Sequence, residues 1–180
     1  MIIGGVDLGF NGAIVTINPD LVSVLDMPTF TTMKNHKERR AYDISVIQKI
    51  FDCSLKSCDY VFVEKVQPVM AKFGGTSGAS NFHLGFGLGV FQSMLECYKI
   101  KYELVPAKEW QKYFGVVRPK DADKSWETKG PVYETAHRLF PTVELATPRG
   151  RLLDGRSDAL LIAEWGRRRV ESIGETHTKL

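Results

Sequence analysis

Residues 1–17 read MIIGGVDLGFNGAIVTI, and this stretch decides the fold. An apolar run, Ile2, Ile3 and Val6, delivers a single carboxylate, Asp7. The turn Leu8-Gly9-Phe10-Asn11-Gly12 follows, and then a second apolar run from Ala13 to Ile17. Two β-branched runs joined by a Gly/Asn turn predict a β-hairpin. Asp7 closes the first strand among hydrophobic neighbours. A turn-initiating Asp that bonds its own backbone is one account of it. The other is a buried Asp, which is costly unless it is paired or holds a cation. That account requires further carboxylates at the same place.

Working outward, Leu21–Met27 predicts a third strand and an antiparallel meander. Pro28–Arg40 is polar, with Lys34, Lys37, Arg39 and Arg40, and reads as a solvated loop. Asp43 fits an N-cap, followed by Ile44, Ile47, Ile50 and Phe51 at helical spacing. Tyr60–Val66 (YVFVEKV) predicts a strand buried on both faces, and Glu64 interrupts it with a carboxylate. A strand, helix, strand order after a meander implies a mixed sheet with Asp7 and Glu64 on neighbouring strands.

Residues 67–79, QPVMAKFGGTSGA, form a Gly/Ser/Thr loop holding Lys72 and Phe73. An aromatic beside a lysine there suits stacking on a base while neutralising phosphate; burial of Phe73 in the core is the even alternative. Ser80–Tyr98 predicts a long helix whose Gly85, Gly87 and Gly89 fit a close packing face or a dimer contact. Tyr102–Val105 predicts a fifth strand, and Ala107–Phe114 a short helix with Lys108 and Lys112. Residues 115–130 are polar and irregular. A helix runs from Pro131 to about Phe140, and the loop 147–153 carries Arg149 and Arg151. Asp154–Arg169 predicts the last helix, so that a domain spans 1–171 and a flexible tail 172–180.

The 180 residues suffice for one domain with a sizeable core. With 43% hydrophobic and 25% charged residues the composition is that of a globular protein. No apolar run reaches membrane-spanning length and no signal peptide stands at the start, so a cytoplasmic location without membrane association is expected. Cys53, Cys58 and Cys97 are odd in number and lack a CxxC pair, as reduced thiols do. A net charge of +3 permits a polyanionic partner without requiring one.

Asp154 and Asp158 are four residues apart and so project from one helical face. The helix dipole accounts for one Asp in a first turn. It does not account for Asp7 and Glu64, each set in an apolar strand. Four carboxylates brought together repel, and hard divalent cations resolve the conflict. Two such ions about 4 Å apart can activate a water and stabilise a leaving 3′-oxygen in phosphodiester cleavage.

VDLGFNGAI, YVFVEKV and DGRSDALLIAEWGRR together resemble, in order and spacing, the acidic motifs of RuvC-type Holliday-junction resolvases of the RNase H-like superfamily. GGTSGASNFHLGFGLGVFQSML and YELVPAKEWQKYFG extend the resemblance over most of the chain, and the ending looks most like phage-encoded relatives. The resemblance implies an α/β fold with a five-stranded mixed sheet flanked by helices. It also implies a homodimer, and an Mg²⁺-dependent site (Mn²⁺ substituting) in each subunit that nicks a four-way DNA junction. Asp7, Glu64 and Asp158 match the metal-binding carboxylates. The fourth acidic or His position falls at Gly155, and the role passes to Asp154, one residue earlier. Phe73, with Lys72 beside it, falls at a junction-probing aromatic. Lys108 and Lys112 lie in a segment with DNA-facing lysines. KDADKSWETKG replaces a G-x-A-x-K segment and leaves Lys124 and Lys129 as candidates for the basic residue beside the site. Arg149 and Arg151 complete the expected DNA contacts. A broader nuclease of forks and flaps, a non-cleaving branch-binding protein and a kinase-like ATPase are the other readings.

Overall fold

The computed structural model describes residues 1–34, 36–67, 78–117 and 129–177. Three strands, β1 (Ile3–Val6), β2 (Ala13–Ile17) and β3 (Val22–Asp26), form the expected antiparallel meander. Strand β6 (Tyr60–Glu64) lies parallel to β1, and β7 (Tyr102–Val105) parallel to β6, so the sheet order is β3-β2-β1-β6-β7. The parallel half needs crossovers, and helices supply them. Helix α1 (Ile44–Cys53) joins the meander to β6, and α2 (Gly78–Cys97) precedes β7. Asp43 caps α1 as expected, its carboxylate accepting from the Val46 N–H at 3.1 Å.

The sheet separates two apolar layers. On one face Val6, Val61 and Val63 pack with Ile47, Phe51, Phe91 and Leu95 of α1 and α2. On the other, Ile3, Val15 and Phe62 meet Trp110 of α3 (Ala107–Phe114), Ala136 of α4 (Lys129–Leu139) and Leu160 and Ala163 of α5 (Asp154–His177). Helix α5 extends to His177, beyond the end at Arg169 that its apolar spacing predicts. Among the described residues, no helix is long and apolar enough to cross a membrane.

The segment read as a solvated loop is instead a second, two-stranded sheet, β4 (Thr29–Lys34) paired with β5 (Lys37–Tyr42). Its apolar residues, Phe30, Met33, Ala41 and Tyr42, do not alternate with the polar ones, so the pattern that marks a strand is missing. β-Branched Thr29, Thr31 and Thr32 supply the local preference, and His36 at φ 58° makes the turn.

Helix α5 approaches the meander closely enough for backbone to meet backbone. Gly155 forms a parallel bridge with Gly12, and a Cβ on Gly155 would lie 2.1 Å from the Asn11 carbonyl oxygen. Arg156 then ties the same turn to β3, donating to both carboxylate oxygens of Asp26 at 2.6 and 2.9 Å. Gly155→Ala therefore costs about 1–3 kcal/mol of stability, since the colliding atoms are main chain and cannot rotate away. Urea unfolding of the variant beside the parent chain measures it, and equal midpoints would show that α5 can shift outward freely.

Candidate active site

All four acidic residues reach the end of the sheet where β1 and β6 finish. Val6 pairs with Val63, so Asp7 and Glu64 are the next positions on adjacent parallel strands. Asp154 and Asp158 are placed beside them by the contact of Gly155 with the Asn11–Gly12 turn. The Asp7 N–H donates to the Ala13 carbonyl at 3.0 Å, and the Asp7 carboxylate accepts from the Gly9 N–H at 3.2 Å. Asp7 thus is a turn-initiating Asp and a member of the cluster at once.

The electrostatics are those of carboxylates crowded together, with one ammonium to offset them. Burial raises the Asp7 carboxyl above its ordinary range, with the charge of Asp154 adding to the effect. Glu64 is pushed up to about 8, by burial first and then by the charges of Asp7 and Asp158. The contact between the two raises Glu64 further and partly lowers Asp7 against the effect of burial. Asp158 also rises to about 8, through burial and the charges of Asp7 and Asp154, with Lys129 opposing. Among the described residues no three acidic, His or Cys groups are drawn into a ready-made metal cage. The Lys129 ammonium, 2.6 Å from Asp154, offsets part of the negative charge. A set of oxygen donors this acidic, half-buried and mutually repelling fits a hard divalent cation.

Neighbours of the carboxylates come from α3 and α4 as well as from α5 itself. Gln111 of α3, Lys129 and Val132 of α4, and Ser157 border a small pocket against Asp154 and Asp158. The Ser157 hydroxyl is buried with no hydrogen-bond partner among the described residues. A larger cleft of about 790 Å³ opens on the other side of Asp154, lined among others by Phe10, Arg40, Lys129 and Arg151. Arg40 donates to the Phe10 carbonyl and to Asn11 Oδ1, both at 2.7 Å, bracing the turn that follows Asp7. Tyr42 braces it from below: its hydroxyl, pushed up to about 12 by burial and by the charge of Asp7, donates to the Leu8 carbonyl at 2.6 Å.

Neither a protein-family model nor a curated protein sequence matches the chain. Solved structures do. The Thermus thermophilus RuvC structure aligns with a TM-score of 0.53 at 13% identity, over 93% of this chain and 96% of that one. The same organism's RuvC in complex with a Holliday junction substrate aligns with a TM-score of 0.52 at 10% identity, over 91% and 90% of the two chains. The fold is RuvC-like.

Within this RuvC-like fold, Lys129 is the described residue of the 120–129 run that reaches the carboxylates; Lys124 lies outside the described residues. Lys72 and Phe73 lie outside them too. Lys108 and Lys112 are exposed on α3, whereas Gln111, between them, borders the carboxylate pocket. Arg151 lines the cleft, and Arg149 is exposed two residues earlier. Sequence reading missed Gln111, Ser157 and Arg40. Gln111 and Ser157 had no signal to offer, being a polar residue in an ordinary helix and a small one beside Asp158. Arg40 was hidden in a run of charges.

Glu64 and Asp158 hold protons in the folded chain between about pH 4 and 8 that they release on unfolding. Metal-free stability is therefore greatest at the low end of that window and falls as pH rises through it. Thermal melts in EDTA should show Tm declining from pH 5 to pH 8, with added Mg²⁺ raising Tm more at pH 8 than at pH 6. A flat profile with no Mg²⁺ effect would show that the four groups do not act as one cluster.

Proposed function

We propose that this chain is a divalent-metal-dependent endonuclease that resolves four-way DNA junctions by paired nicks. The observation that carries the reading is the convergence of Asp7, Glu64, Asp154 and Asp158 where β1, β6 and α5 meet. Asp7 and Glu64, from the sheet, and Asp158, from the helix, would hold the cations, with Asp154 as the outer member. Bound divalent cations supply neutralisation of the phosphate and activation of the attacking water. Water attack with a 3′-oxygen leaving leaves a 5′-phosphate and a 3′-hydroxyl.

The protein's own groups position the strand. Lys129 stands at the boundary between carboxylates and cleft, so a phosphate entering the cleft meets its ammonium next to Asp154. Arg40 and Arg151 line the same cleft, giving a basic approach to an acidic centre. Gln111 has the donor and acceptor to orient a water or a phosphate oxygen against Asp158. Phosphate contacts of this kind give affinity without a base code, so junction selection rests on shape.

A homodimer is part of the proposal. Phe82, Gly85, Phe86 and Gly89 recur at i, i+3, i+4 and i+7 on α2, one face of the helix. Phe82 is 69% and Phe86 44% exposed, and a Cβ on Gly85 or Gly89 would meet nothing in the chain. Such a face suits close approach by its own two-fold copy, which would set two sites about an axis matching the junction's symmetry.

Labelled four-way junction, fork, flap and linear duplex, incubated with Mg²⁺ or EDTA, test the activity. Symmetric Mg²⁺-dependent nicks in the junction are expected, and Asp7→Asn should lower the rate at least ~1000-fold, a loss of about 4 kcal/mol of transition-state stabilisation. The same variant should melt higher than the parent in EDTA, because one repelling charge is gone. Equal cutting of fork and flap would favour a broader branch nuclease, and binding without cutting would leave a recognition protein. Phe82→Asp with Phe86→Asp should shift sedimentation from dimer to monomer; an unchanged dimer would place the interface elsewhere.

A further inference from the structure

The β4–β5 hairpin has no part in the carboxylate cluster, and its construction calls for an explanation. Its root is fastened to the turn after Asp7. Tyr42 donates to the Leu8 carbonyl, and Arg40 donates to the Phe10 carbonyl, to Asn11 and to Thr29 Oγ1 at 2.9 Å, with its guanidinium 5.4 Å from the Phe10 ring centroid. Beyond that root, among the described residues, neither strand joins the main sheet. Phe30 is 46% and Met33 66% exposed, so the outer part adds nothing to the core.

The hairpin is also strongly basic. Residues 34–40 carry Lys34, Lys37, Arg39 and Arg40 against one acid, Glu38. The register sets positions 34 and 37 opposite each other next to the turn. A run this basic, on a root braced against the candidate catalytic turn, suits an external anion. Strands of six residues at about 3.4 Å each carry the tip about 20 Å from the root, the length of about six base pairs of B-DNA.

We infer that the β4–β5 hairpin is a DNA-binding arm that grips the backbone of the duplex about three to six base pairs from the cleaved phosphate. This rests on the nuclease reading for the position of the DNA, and it assigns that substrate a second contact outside the catalytic cleft. Lys37, at the tip, supplies the outer phosphate contact, and Arg39, three residues from Tyr42 and so about 10 Å along the arm, a nearer one; the stiff root fixes their spacing from the turn after Asp7. The arm therefore measures along one duplex arm of a junction.

The test compares the salt dependence of binding in EDTA, where nothing is cut. Lys37→Ala with Arg39→Ala removes two arm charges. Lys56→Ala with Lys101→Ala removes two exposed lysines from segments that lead into β6 and β7, at the far end of the parallel strands. The arm variant should lower the slope of log Kd against log salt by about 2 on a four-way junction with long arms, and the control pair should not lower it. On a junction made neutral with methylphosphonates about three to seven base pairs from the crossover, parent and arm variant should bind with equal slopes. The arm variant's Tm should not fall, because the contacts that brace the root belong to Arg40 and Tyr42 and are kept. An unchanged slope, an equal drop in the control pair, or no binding of the parent to DNA would overturn the arm. Loss of slope in a chain that cuts no DNA would keep the arm and remove the nuclease; cutting with an unchanged slope would do the reverse.

Discussion

The site depends on how closely one helix can approach one sheet. Helix α5 crosses the face formed by β1 and β2 with glycine at the points of nearest approach. A Cβ on Gly5 would lie 2.4 Å from the Ala159 carbonyl oxygen, and one on Gly155 2.1 Å from that of Asn11. No side chain could be accommodated at either place without pushing the helix outward. An outward shift would take Asp154 and Asp158 away from Asp7 and Glu64. The same contact explains why residue 155 bears no acidic group: its α-carbon faces the hairpin backbone, and Asp154, one residue earlier, faces the cleft and Lys129.

That approach forces a conflict which the rest of the site contains. Four carboxylates near one another cost the folded state, since burial and mutual repulsion both oppose ionisation. The raised Glu64 and Asp158 carboxyls reflect that cost, and the Lys129–Asp154 ion pair offsets only part of it. Such a cluster is not a stable use of acidic residues for structure alone; an Asn or Ser at these positions would relieve the cost. Local violations of this kind, tolerated by an otherwise consistent fold, are characteristic of functional sites. The ordinary ion pairs elsewhere make the contrast: Glu164 is buried but held by Arg167 and Arg168, so its carboxyl is lowered.

The frame around the conflict is stiff. Asp43 caps α1, and Arg156 binds Asp26 in both its oxygens, so the first turn of α5 is tied to β3 as well as to the hairpin. Tyr42 and Arg40 hold the turn after Asp7 from the β4–β5 side. The acidic cluster is therefore braced from several elements by neutral or paired groups, while the cleft beside it is left basic.

Much of this was legible in the linear chain because it is written in hydrophobic periodicity. The meander, β6 with Glu64, α1 with its Asp43 cap, and the last helix with Asp154 and Asp158 all follow from apolar spacing, and a carboxylate inside an apolar run announces itself. The β4–β5 hairpin does not, because its few apolar residues fall out of alternation among charged ones and only cross-strand pairing reveals the segments as strands. Gln111, Ser157 and Arg40 were equally hidden, since a polar side chain acquires a role from what the fold sets opposite it. The sequence by itself determined which residues could not rest in an apolar core without a partner. Tertiary structure alone decided which of them share one place, because close approach of α5 to the sheet is a matter of backbone distance, and distance between remote segments has no local signature.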